Sequence, residues 1–203
     1  MTGRIPNGPV LYARSRGLVG AVAALVGTAA VAAWAAAWLR TRAGLDPEAG
    51  ASLAALAPLL AAGAVGTSLH VWSEDLDRTA VRPWWPRRAA HLAVLTAPAV
   101  TLLALAVLPG YAEGFGVAAM VRNTLGSVGV TAAAAVLLGA RLSWLPMTAY
   151  VGACRLAGTD GGAGLWCWPV LPGTRPGAWP VAVALFAVGA AVYVARGARR
   201  SGR

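Results

Sequence analysis

Lysine is absent from this 203-residue chain; all seventeen basic residues are arginine, and only seven acidic residues oppose them. Without lysine there is no GxxxxGK[ST] loop, so the chain has no P-loop with which to hydrolyse ATP. Histidine and cysteine are nearly as scarce, at two each, and there is no HExxH pair for zinc. Charged residues make up 12% of the chain against 58% hydrophobic, too few to cover a soluble globule of this size. The net charge of +10 does not point to nucleic acid, because the arginines flank apolar runs instead of forming a stripe. Arginine in place of lysine, with abundant Ala, Gly and Pro, is also the codon bias of a GC-rich bacterial genome. Part of this composition is therefore not selected chemistry, and the expectation is of no catalytic residue, no metal and no cofactor.

What the chain does have is apolar runs of membrane length. A helix rises about 1.5 Å per residue and the hydrocarbon core is about 30 Å thick, so roughly 20 apolar residues cross it. The expected fold is all-α, a single integral membrane domain over 1–203. It is a polytopic transmembrane helix bundle of about six spans, near 18–39, 51–72, 89–109, 115–140, 142–156 and 178–195. The first run, at 22 residues, exceeds the 7–15 residues of a leader's apolar region and is read as a span.

Arginine placement sets the orientation, since cytoplasmic loops are enriched in basic residues. With the N-terminus inside, the inner segments hold Arg4, Arg14, Arg16, Arg78, Arg82, Arg87, Arg88, Arg141, Arg196, Arg199, Arg200 and Arg203. The outer ones hold Arg40, Arg42 and Arg175. Both termini are expected in the cytoplasm, in a bacterial cytoplasmic membrane. Trp34, Trp38, Trp72, Trp84, Trp85, Trp144 and Trp179 fall near span ends, where indole favours the headgroup layer.

A few polar residues interrupt the apolar runs. Arg122, Asn123 and Thr124 lie about two turns into the fourth run, and a guanidinium near the bilayer centre costs roughly 2.5–3.5 kcal/mol. Two readings stand: the three line a protein-filled or wet cavity, or Arg122 snorkels to the headgroups. Between the fifth and sixth runs, GLWCWPVLPG is apolar enough to enter the membrane and too short to cross it. It is either a re-entrant turn, with Trp166 and Trp168 as gate or packing residues, or an interfacial aromatic loop. Cys167 pairs with Cys154 if the outside is oxidising; otherwise both are free thiols. GTSLH at 66–70 loosely resembles the serine motif of rhomboid-type proteases, but Leu69 replaces a glycine and no later core span supplies a histidine. His70 and His91, with Glu74 and Asp75, form a conceivable metal or proton site; the plainer reading is of polar residues at the headgroup level.

The segment SEDLDRTAVRPWWPRR at 73–88 is the main charged loop. Carboxylates are unfavourable at a helix C-terminus, so Glu74 and Asp75 fit better in the first turn of a new helix capped by Ser73, with Glu74 one turn before Arg78. That helix would end before Pro83, and Pro86 suits the start of the third span; the other reading of the segment is a solvated turn.

In this layout the chain resembles the type-2 ABC exporter permeases: six spans, a short cytoplasmic helix after the second, and a re-entrant segment between the fifth and sixth. SEDLDRTA at 73–80 is similar to that cytoplasmic helix, with Arg78-Thr79 where Gly-Thr is commoner, and GLWCWPVLP takes the re-entrant place. The resemblance implies that a separate ATPase subunit docks on Glu74, Asp75, Asp77, Arg78 and Thr79. It also implies a homodimer or a heterodimer with another permease. The alternative is a non-transporting membrane protein that confers self-immunity or scaffolds an assembly; in either case the partners include membrane lipid.

Overall fold

A computed structural model describes residues 18–41, 47–69, 84–108, 116–157 and 164–199. They form α1 (Leu18–Arg40), α2 (Pro47–Ser68), α3 (Trp85–Val107), α4 (Val117–Leu138), α5 (Leu145–Leu156) and α6 (Ala178–Arg196). Two 3-10 turns, Ala140–Leu142 and Leu165–Val170, flank α5, and there is no strand among the described residues. All but α5 are long and apolar enough to cross a bilayer.

The expected spans shift where local chemistry intervenes. α3 begins at Trp85 instead of 89, because Pro86 has no N–H to satisfy and fits the first helical turn. Arg87 and Arg88 therefore ride on that turn. α2 ends at Ser68, where the Leu69 N–H closes a tight turn on the Gly66 carbonyl at 3.1 Å. The expected fifth span is the largest correction: α5 has 12 residues, about 18 Å, well short of a bilayer. Gly139, at φ +89°, ends α4 in a conformation that suits glycine, and the 3-10 turn reverses the chain before α5 starts. The proposed docking residues Glu74, Asp75, Asp77, Arg78 and Thr79 lie outside the described residues, as do His70 and Trp72.

α4 is the hub, packing on α2, α3 and α6. α4 and α6 run in the same direction and cross in backbone contact at Gly129 and Gly189, where a Cβ on either residue would overlap the other chain segment. Small residues thus replace the hydrophobic driving force that lipid cannot supply. α5 runs antiparallel to α2, from Trp144 beside Gly63 to Arg155 on the Ser52 hydroxyl. It covers only the middle levels of α2.

α1 is the most peripheral helix. It buries Ala21, Leu25, Ala29, Ala32 and Ala36, one face at helical spacing, against α2 and α3, and turns Val19, Val22, Val26, Val31 and Trp34 outward. Such an all-round apolar helix needs lipid as its outer neighbour.

One end of the bundle is tied by arginines. Arg88 of α3 reaches the Val194 and Ala195 carbonyls of α6, both at 3.4 Å. Its guanidinium lies over Gly197, at φ +76°. Arg199, just past α6, donates to the Leu137 carbonyl at 3.0 Å, and its backbone N–H to Ala135 at 2.8 Å. Cations at helix C-termini meet unpaired carbonyls and the negative end of the helix dipole.

Candidate functional site

The site is built on the N-terminal third of α4. Arg122 is 0% exposed, so it does not snorkel; protein surrounds its guanidinium. Nε donates to Asn123 Oδ1 at 3.0 Å, one terminal nitrogen to the Pro172 carbonyl at 2.9 Å and the other to the Leu171 carbonyl at 2.6 Å. No carboxylate faces it among the described residues. Three hydrogen bonds from a charged donor, at about 1.5–3 kcal/mol each, outweigh an insertion cost of about 2.5–3.5 kcal/mol, which explains how the charge is tolerated.

Asn123 works beside it. Its amide Nδ2 donates at 2.7 Å to the Pro169 carbonyl and at 2.7 Å to the Ala54 carbonyl of α2. The second bond follows from sequence: Pro58 inside α2 has no N–H, so the carbonyl four residues back, that of Ala54, has no partner in its own helix. Asn123 supplies that donor from α4. Thr124 turns its hydroxyl back onto Met120 at 2.7 Å and takes no part in the clamp.

The residues held are those of the apolar segment between the fifth and sixth helices. Together Arg122 and Asn123 engage three of its carbonyls, at Pro169, Leu171 and Pro172. The segment turns as a 3-10 helix and enters the bundle: Cys167, Trp168 and Val170 are buried with Met147, Val151 and Cys154 of α5 and with Ala178 and Ala182 of α6. Trp168 lies across Gly126, one turn below Arg122, where any Cβ would overlap the indole ring. Trp166 points the other way and is 51% exposed. Cys154 and Cys167 are free, buried thiols in one apolar cluster, with Tyr150 packed against it.

Sequence reasoning missed a second polar contact. Ser68 and His91, both buried, join α2 to α3 with Oγ and Nε2 3.3 Å apart. His91 is thus buried in the bundle, and a later helix does bring a histidine to Ser68. The signal was available in the spacing, since His91 falls on the buried face of α3 with Leu92, Leu95 and Ala99. Its chemistry is limited: Ser68 commits its proton to the Val65 carbonyl at 2.6 Å, which leaves Nε2 of His91 as donor to Ser68. A nucleophile needs the opposite arrangement, with serine donating to the base.

Among the described residues no three His, Cys, Asp or Glu side chains gather as metal ligands. Buried polar atoms without hydrogen-bond partners do occur: Trp84 Nε1, Thr96 Oγ1, Ser127 Oγ and Thr131 Oγ1. Comparison of the chain with protein-family models, with curated proteins and with solved structures finds no match.

Proposed function

We propose that this chain is the membrane-spanning permease subunit of an ATP-binding-cassette exporter of the type-2 kind, working with a separate ATPase. The observation that supports this reading is the segment at 164–172, which turns inside the bundle between the fifth and sixth helices and is gripped there by Arg122 and Asn123. A buried cation bonded to backbone carbonyls holds a short 3-10 turn inside the bundle, and within a membrane such irregular backbone is tolerated only where protein or a cavity shields it.

In this reading both termini are cytoplasmic in a bacterial membrane, two permease copies form the path, and the ATPase docks on Glu74, Asp75, Asp77, Arg78 and Thr79. The arginine-tied end that joins α3, α6 and α4 then lies on the ATPase side. ATP hydrolysis belongs to the partner. Gentle purification from the native membrane is expected to recover an ATPase subunit in stoichiometric amount, and Glu74→Arg with Asp75→Arg is expected to release it. A complex that survives both reversals removes the dock, and a chain that purifies without any ATPase removes the exporter reading.

A further inference from the structure

Charge is not shared evenly between the two ends of the bundle. α2, α4 and α6 finish, and α3 begins, at one end, and the described arginines there are Arg87, Arg88, Arg141, Arg196 and Arg199. Glu48, the one acidic residue in the described helices, is on the first turn of α2, at the opposite end. The sequence between α2 and α3 adds Glu74, Asp75 and Asp77, but also Arg78 and Arg82, and the chain after α6 adds Arg200 and Arg203. Nine arginines thus stand against three acids, an excess that the chain does not neutralise itself.

The five described arginines differ in what they already hold. Arg88 is turned onto the last carbonyls of α6, and the Arg87 guanidinium lies over the Trp84 ring, 4.6 Å from its centroid. Arg199 uses one terminal nitrogen on the Leu137 carbonyl, which leaves most of its five N–H donors. Arg141 and Arg196 are exposed and make no hydrogen bond or ion pair among the described residues.

Arg199 and Arg141 belong to the same reversal of the chain. Arg199 bonds the last turn of α4 through backbone and side chain, and Arg141 follows two residues after Gly139, in the 3-10 turn that the Leu142 N–H closes on the Gly139 carbonyl at 3.2 Å. Leu137, Leu138, Leu142 and Leu145, on the same reversal, are all exposed. Cations beside exposed leucines suit an amphiphile, with an anion for the guanidinia and hydrocarbon for the side chains below them. A protein partner in the aqueous phase would meet the arginines but not the leucines of a membrane helix.

We propose that the reversal between α4 and α5 binds an anionic phospholipid, its headgroup phosphate on Arg141 and Arg199 and its acyl chains along Leu137, Leu138, Leu142 and Leu145. A phosphatidylcholine offers the same phosphate with a quaternary ammonium that opposes the arginines, so the site prefers a headgroup of net negative charge. The site uses no partner subunit, so it stands or falls separately from the exporter reading.

Native mass spectrometry of the purified full chain in neutral detergent tests this, by titration with phosphatidylglycerol or with phosphatidylcholine of the same chains. Phosphatidylglycerol is expected to bind about tenfold tighter or more, since each arginine near an anionic headgroup is worth about fivefold. Arg141→Gln is expected to weaken phosphatidylglycerol by about that fivefold factor. Arg175→Gln, an equal loss of charge just before α6 at the opposite end, is expected to leave it unchanged. Equal binding of the two lipids overturns the proposal and leaves the arginines to an acidic protein surface. Equal weakening by the two variants also overturns it, because the attraction is then diffuse. Soluble glycerol phosphate is the third probe: if it binds as tightly as phosphatidylglycerol, the leucines hold no acyl chain and the lipid site falls.

Discussion

At the residue scale, the arrangement around α4 shows how a charge survives in an apolar bundle. Arg122 donates to two carbonyl oxygens and an amide oxygen, and these neighbours solvate its charge. Asn123 is the more exposed to test by substitution, because it satisfies two carbonyls on different elements. Asn123→Ala strands both. With an unpaired buried acceptor costing about 1–3 kcal/mol, the variant is expected to lose roughly 2–6 kcal/mol. A thermal melt of the purified protein reads that as a drop of several degrees, and an unchanged midpoint would show that the clamp carries no load.

At the scale of elements, the informative pair is Pro58 and Asn123. A proline inside a helix normally leaves one carbonyl unserved and bends the helix; here α4 provides the missing donor across the interface. The two residues are therefore coupled. Pro58→Ala restores the N–H to Ala54 within α2, so Asn123→Ala should cost less in that background than alone, by about 1 kcal/mol, the net worth of one hydrogen bond. A double-mutant cycle of melting temperatures measures it; strict additivity would mean that Ala54 finds its donor elsewhere. Element lengths carry the second lesson. α5 is too short to cross, and the gripped segment at 164–172 packs alongside it, with Cys167 and Trp168 buried among Met147, Val151 and Cys154.

At the scale of the whole molecule, α3, α6 and α4 are joined at one end by Arg88 and Arg199, and α4 and α6 are fused by the Gly129–Gly189 crossing. α3 also packs directly on α4, the helix that grips the 164–172 segment. The orientation proposed for this bundle is open to a direct check. Single cysteines from Asp46→Cys, Glu113→Cys and Asp160→Cys are expected to label from outside intact cells with an impermeant thiol reagent, and Asp77→Cys only after permeabilisation. Labelling of Asp77→Cys from outside would invert the topology.

Helix positions were legible because a membrane helix is specified by its own chain: length and apolarity decide whether it spans, and proline and glycine decide where it starts and stops. The runs around α1, α3, α4 and α6 could be read in this way to within a few residues. Arg122 was recognisable as expensive, but its partners were not, because they are backbone carbonyls some fifty positions away and carry no side-chain signature. The same holds for Ala54, whose need for a donor is written in Pro58 but whose donor is chosen by packing. Ser68 and His91 meet for a similar reason: each is an ordinary polar residue until two helix faces are set against each other. Sequence alone therefore determined the solvent, the helices and the cost of the buried charge. Tertiary structure alone decided what each polar group touches, because those contacts arise between helices whose relative rotation no single run encodes.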